Sequence, residues 1–267
     1  MIRFAQPDDR AAIRRLWEVC FPDESGFNEY FFKYFFDISR VLLSVEGETI
    51  CAMVQMLPCR LQADGELREV TYIYGACTDP AHRRQGHMAR LLWRSFELDA
   101  DAGRAASVLI PAEPWLFDFY APFGYQPFFY VGREHICADA VGVPPVRLTR
   151  AYIPQLRALY ERTVPPCHIV RSEDEWARQM DMFDRLGCGV YGWLRDGALT
   201  AYAFCWEDAV QEAVGLTEDK AQGLLHTLGR RELACTVPGG QTALGCIRWH
   251  EPPRGINNAG YMNLMLN

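Results

Sequence analysis

The sequence predicts an α/β chain of the α+β kind, with two successive domains that each hold a mixed, mostly antiparallel sheet flanked by helices. Three observations carry that prediction. Strand-like runs are joined by short turns at Glu46-Gly47, Asp64-Gly65 and Asp196-Gly197, which is hairpin chemistry. Each group of hairpins follows two stretches whose apolar residues recur at helical spacing. The same order of elements then occurs twice along 267 residues, a length that suits one large domain or two ordinary ones.

The elements follow in order. Residues 7–20 read as an amphipathic helix, with Ile13, Leu16, Trp17 and Cys20 on one face and Asp8 and Asp9 at its start. FNEYFFKYFFD is a second helix, whose aromatic face (Phe27, Tyr30, Phe31, Tyr34, Phe35) is expected to pack into the core. Two hairpins follow, in VLLSVEGETICAMVQML and LPCRLQADGELREVTYIYGAC. Beyond a third helix come a short apolar strand, AASVLIPAE, a helix-like stretch, WLFDFYAPFGY, and a strand, QPFFYVG.

VGVPPV, residues 141–146, reads as a linker, because its prolines can neither donate to a ladder nor continue a helix. The expected domains are therefore 1–140 and 147–267. In the second, 152–163 and 172–183 are helices, the latter opened by a capping box of Ser172 and Glu175. VYGWLRDGALTAYAFCW is a hairpin in register with the one at 41–57. YGACTD (74–79) and VGLTED (214–219) also correspond, each leading into a helix, so the two halves read as a weak internal duplication.

Composition narrows the function. No run approaches the ~20 apolar residues of a membrane span, and MIRFAQPDDRAAIRRLW carries charges where a signal peptide needs an apolar core. A cytoplasmic protein without a membrane partner is expected. The ten cysteines include no C-x-x-C pair, which argues against a zinc site or a disulfide framework; no metal is expected. Cys51, Cys205 and Cys246 lie in apolar runs, where cysteine acts as a small hydrophobe. A net charge of −7 disfavours nucleic acid and favours a cationic partner.

Against that acidic balance, TDPAHRRQGHMARLLWRSFELDA (78–100) concentrates Arg83, Arg84, Arg90, Arg94, His82 and His87 around one glycine. A helix N-terminus exposes unpaired amides and the positive end of the helix dipole, and a glycine there lets an anion reach the backbone. Pro80 ends the strand, Arg83 to Gly86 make the turn, and Met88, Leu91, Leu92 and Phe96 face the core. The amides of Arg84, Gln85, Gly86, His87, Met88 and Ala89 would then meet a diphosphate, with arginine side chains closing over it. The second copy continues KAQGLLHTL, without the arginine-rich turn. Neither the P-loop pattern nor a G-x-G-x-x-G dinucleotide turn is present.

A strand, then DP-x-x-R-x-x-G, then an amphipathic helix resembles the acetyl-CoA loop of the GNAT N-acetyltransferases. Their pattern is R/Q-x-x-G-x-G/A, matched here by Arg83 and Gly86, with Met88 in place of the final small residue. A bulky residue there, with a degenerate second domain, is similar to the tandem branch typified by the enhanced intracellular survival acetyltransferases. That branch's sterol-carrier-like domain has no counterpart in these residues. FYAPFGYQP (119–127) resembles the family's Y-x-x-F-G-Y/F segment, which makes Tyr120 the general acid for the leaving thiolate. A phenol held near the sulfur can supply that modest help.

The resemblance implies acetyl-CoA as cosubstrate and direct attack by a primary amine of a small molecule or peptide. Pantetheine would lie along the strand ending at Ala76, Cys77 and Thr78. For the base it leaves Glu113, Glu29 and the terminal carboxylate of Asn267 open, along with a water chain. Homo-oligomerisation is compatible with this reading. Two alternatives stand beside it: a catalytically quiet acyl-CoA-binding regulator, and an aminoacyl-tRNA-dependent peptidyltransferase of tandem GNAT type.

Overall fold

The computed structural model describes residues 1–251 and 259–265. The chain forms two compact units, Met1–Pro127 with Gly245–Asn257, and Phe128–Leu244 with Asn258–Asn267.

The first unit runs β1 (Ile2–Phe4), α1 (Arg10–Cys20), α2 (Phe27–Tyr34), β2 (Val41–Glu46), β3 (Thr49–Ala63), β4 (Glu66–Thr78), α3 (His87–Asp101), β5 (Ala106–Leu109) and α4 (Leu116–Tyr120). Its strands lie in chain order, with β13 (Thr242–Trp249), the thirteenth strand of the chain, beside β5. At the β3–β4 turn Asp64 and Gly65 both take positive φ, 51° and 78°, as the Asp-Gly pair requires of a tight hairpin. On one side of the unit Trp17 of α1 stacks on Phe31 of α2, ring centroids 4.8 Å apart. The buried arc of α2 centres on Tyr30, Phe31 and Phe32, so Phe32 takes the place expected for Tyr34, which is exposed. A separate core packs Leu91, Leu92 and Phe96 of α3 against Leu42, Val54 and Ile73 of the sheet.

The second unit contains β6 (Gln126–Cys137), β7 (Val146–Arg147), α5 (Ile153–Thr163), β8 (His168–Val170), α6 (Glu173–Leu186), β9 (Gly189–Arg195), β10 (Ala198–Cys205), β11 (Ala209–Val214), α7 (Glu218–Leu228) and β12 (Glu232–Pro238). Its sheet order is β6-β12-β11-β10-β9-β7. In that order β11 and β12 pair in parallel and the other neighbours are antiparallel. The capping box of Ser172 and Glu175 is formed as expected. Leu224 and Leu225 of α7 pack on Ala201, Ala203 and Leu233.

The units depart from the linear split at 140. The strand expected to finish the first domain begins β6, which pairs with β12 from Val131 to Cys137. In exchange, β13 pairs with β5 through Cys246–Trp249. The stretch 141–146 is not a free linker either: Val143 donates its amide to Asp219 at 2.8 Å and accepts from the Trp193 indole at 2.8 Å. Composition marks a proline-rich stretch but carries no record of partners so distant in sequence. No helix among the described residues is long and apolar enough to cross a membrane.

Candidate active site

The site is built on one interrupted strand. β4 pairs with β5 only from Val70 to Tyr72, so residues 73–78 run on without that neighbour. On its other edge β4 carries a bulge: Gln55 faces Tyr74 and Met53 faces Cys77, which leaves two β4 residues opposite one on β3. Gly75 sits in the bulge at φ 58°, and a Cβ there would fall on the Trp17 ring. Only glycine meets both demands. A gap between two parallel strands beside a bulge leaves backbone groups available to an extended ligand.

The strand then ends in chemistry the sequence names. Asp79 accepts the Ala81 amide at 2.8 Å, and Pro80 fixes the start of the turn. Arg84 takes φ 63° and Gly86 takes φ 78°, so left-handed residues alternate with Gln85, whose φ is not positive, at the mouth of α3. Such alternation turns successive amides inward into an anion-binding concavity. No side chain caps the helix start, whose first amides have no intrahelical acceptor. A Cβ on Gly86 would meet a single atom, Nη1 of Arg90, at 3.2 Å.

The cationic groups divide into two roles. Arg90 folds back, donating through Nη1 to the Gln85 carbonyl at 3.0 Å and through Nη2 to Nδ1 of His87 at 3.0 Å. It shapes the loop. Arg83 and Arg84 are exposed, with Arg83 Nε 3.3 Å from the Thr78 carbonyl. His87 turns away from the mouth: its buried ring also accepts from Ser44 at 2.9 Å. Burial, then Arg90, lowers its pKa, so the ring is neutral. Of His87 only the backbone amide is placed for an anion. Met88 packs on the core, as expected. Gln85 donates its side chain to Ala81 at 3.3 Å.

Tyr120 closes α4 and is buried, its ring edge-on to Tyr125 at 5.7 Å and to Phe119 at 5.1 Å. Tyr125 is itself anchored to β5, its hydroxyl 2.6 Å from Ser107 Oγ. Gly124, at φ 86°, makes the turn between the two tyrosines. Burial first, then the Cys246 and Cys77 thiols, pushes Tyr120 up to about 12. The hydroxyl therefore keeps its proton at neutral pH, the state a general acid needs.

The base candidates are not drawn to the site by any recorded contact. Glu113 is exposed in the turn between β5 and α4, and Glu29 is exposed on α2. Asn267 lies outside the described residues. Two groups of potential metal ligands occur among the described residues, Glu46–Cys51–His87 and His135–Cys137–Glu232. In the first, donation from Arg90 to Nδ1 fixes the proton on Nε2, which faces Glu46 at 3.6 Å as a donor rather than a ligand. The second is an exposed cross-strand group on β6 and β12.

The sequence names Arg90 among the cations of the loop but not its role: four residues beyond Gly86, a helical turn returns it to the loop backbone instead of leaving it free for an anion.

Residues 1–128 match the family model described as Acetyltransferase (GNAT) domain. No curated protein matches the sequence. Among solved structures, a probable N-acyltransferase from Enterococcus faecalis V583 is similar at TM-score 0.71 and 14% identity, over 93% of this chain and 72% of that one. Eis1 from Mycobacterium abscessus gives 0.62 at 14% identity, over 93% and 73%. A putative acetyltransferase from Pyrococcus horikoshii gives 0.60 at 13% identity, over 99% and 95%. At these identities the neighbours establish the fold, whereas the family match covers the split strand, the loop and Tyr120. Residues 1–128, just under half of the chain, match a GNAT acetyltransferase domain, and the likeness to that family is a likeness of this part of the chain.

Proposed function

We propose that the protein is an acetyl-CoA-dependent N-acetyltransferase acting on a primary amine of a small molecule or peptide. The observation that carries this reading is the conjunction of three features of the first unit. These are the gap beside β4, the left-handed residues Arg84 and Gly86 just beyond its end, and a protonated Tyr120 packed against Tyr125, whose hydroxyl meets Ser107 of β5. The residues fit the cosubstrate: Arg83, Arg84 and the amides from Arg84 to Ala89 would hold its diphosphate, and Ala76–Thr78 would lie along its pantetheine arm. Bound acetyl-CoA would supply the activated acetyl group.

The protein's own part is positioning and proton supply. The loop neutralises the phosphate charge, β4 offers backbone amides to the acyl carbonyl, and Tyr120 donates its proton to the departing thiolate. Glu113, in the turn that leads to α4, is one candidate to take the proton from the amine, beside Glu29, the terminal carboxylate of Asn267 and a water chain. The excess of acidic over basic residues, 34 against 27, favours a cationic acceptor and gives no support to a tRNA-dependent transfer.

Calorimetric titration of acetyl-CoA into the wild type and into the Arg84→Ala, Gly86→Glu double variant tests this reading. Micromolar binding to the wild type that is lost in the variant supports it. Absence of binding to the wild type overturns it.

A further inference from the structure

The second unit carries a group of metal-ligating side chains that the acetyltransferase reading does not use. β6 and β12 pair antiparallel, with Cys137 opposite Glu232 and His135 opposite Ala234. Ala138 donates its amide to the Arg231 carbonyl at 2.7 Å, so the adjoining Cys137–Glu232 pair is of the non-hydrogen-bonded kind, in which side chains stand closer. Strand alternation puts His135 and Cys137 on one face. Ile136, Leu233 and Cys235 pack into the core on the other, and His135, Cys137 and Glu232 are exposed. Ala234 fills the fourth corner of this square with only a methyl group. Arg133, next along the face, is engaged with Thr236 opposite it at 2.6 Å.

The ligand atoms already converge. Nε2 of His135 lies 3.1 Å from a carboxylate oxygen of Glu232. The imidazole nitrogen, thiol sulfur and carboxylate oxygen all lie within 4.8 Å of one another. A tetrahedral ion with bonds of about 2.0–2.3 Å needs its ligands roughly 3.3–3.7 Å apart. Nitrogen and oxygen are close to that spacing, and a turn of the exposed Cys137 side chain brings the sulfur to it. One nitrogen, one sulfur and one carboxylate make a borderline-soft donor set, which suits zinc or cobalt and not magnesium or calcium.

We propose that His135, Cys137 and Glu232 form a surface site for a zinc-class divalent ion, which clips β12 to β6 and keeps water in its fourth position. In the hydrogen bond from His135 to Glu232 a proton lies between the two atoms. The ion takes its place, the ring keeps one proton on Nδ1, and the Cys137 thiol gives its own proton to solvent. Histidine and glutamate stand 97 residues apart, so no local ligand spacing marks the site in the sequence. The site does not depend on the acetyltransferase reading.

The test uses the intact chain. Cobalt(II) chloride is titrated into reduced protein at neutral pH and followed by absorption. One equivalent should give the visible bands of a four-coordinate ion together with a thiolate-to-cobalt charge-transfer band, and zinc chloride should remove both. Cys137→Ser should abolish the charge-transfer band. His135→Ala and Glu232→Gln should each weaken binding by about tenfold or more, since even the outer partners of metal ligands are worth about that much. Cys20→Ser, at another accessible thiol, should leave the titration unchanged. Zinc should raise the melting temperature of the wild type and not that of Cys137→Ser. All three ligand positions are exposed, so these substitutions leave the core intact. A wild type without the charge-transfer band would overturn the proposal, as would a band that survives Cys137→Ser or full affinity in His135→Ala.

Discussion

Arg171 and Glu212 form an ion pair sealed from solvent on both sides, with Nη2 of the arginine 2.6 Å and 2.8 Å from the two carboxylate oxygens. Tyr202 and Tyr261 donate to the same carboxylate at 2.8 Å and 2.7 Å, and Gln179 accepts from Nη1 at 3.1 Å. The guanidinium lies 3.9 Å from the Trp176 ring centroid. Glu212 holds Arg171 charged, above its ordinary value, against the opposing effect of burial. Removing one partner strands a charge. Arg171→Ala is expected to cost about 3–5 kcal/mol in urea denaturation, and Arg171→Met with Glu212→Leu distinctly less. Equal losses in the two variants would show that packing, not charge, sets the cost.

His87 makes stability depend on pH. Its pKa is lowered in the folded chain, first by burial and then by Arg90; that of His168 is lowered by burial as well. The unfolded chain therefore binds more protons as pH drops through the ordinary histidine value of about 6.5. Stability supplied by the neutral rings is present above that value and lost below it, by at most about 1.4 kcal/mol per pH unit per ring. Urea midpoints should fall between pH 7.5 and 5.5, and His87→Gln should flatten the slope; these two working pH values straddle the ordinary histidine value of about 6.5. An unchanged slope would remove His87 from the account.

Arg84 occupies a left-handed conformation that costs a side-chain-bearing residue about 1–3 kcal/mol. Arg84→Gly should raise the unfolding free energy by about 1 kcal/mol while weakening acetyl-CoA binding severalfold. Stability by denaturation and affinity by calorimetry would move in opposite directions. Parallel losses would mean that Arg84 serves packing instead.

Tyr120→Phe leaves the ring contacts with Tyr125 and Phe119 in place and removes only the hydroxyl. Turnover with acetyl-CoA and a primary amine acceptor should fall by about 10² while acetyl-CoA affinity stays within about twofold. Unchanged turnover would sink the acid role.

Gly75→Ala adds one methyl where the Trp17 ring already stands, at a positive φ. The expected loss is about 2–4 kcal/mol, from overpacking and backbone strain together. A thermal melt at wild-type temperature would mean that the bulge is not needed to seat Trp17.

What the sequence made readable was local. Asp64-Gly65 and Asp196-Gly197 announce hairpins because two adjacent residues carry the whole turn requirement. Asp79-Pro80 and Arg84 to Gly86 announce the loop because the cap, the stop and the glycine all lie in the short stretch 79–86. The inward rotation of His87 was not readable, since it depends on Ser44, forty-three residues away. The bond from the Cys20 thiol to the Thr78 carbonyl and the pairings of β6 and β13 are likewise set by tertiary partners. A hydrophobic pattern names a strand but leaves its neighbour open.

The pairing of β13 with β5 also shapes how the protein comes off the ribosome. The edge of β5 is synthesised about 140 residues before Cys246 to Trp249 emerge to cover it. At ~5–20 residues per second, that interval lasts on the order of ten seconds. Throughout it the nascent first unit shows an open β-edge, the usual template for misassociation between chains. A translation product stopped near residue 140 would keep that edge permanently, so the first unit cannot simply be expressed as residues 1–140: a strand from beyond residue 240 completes its sheet.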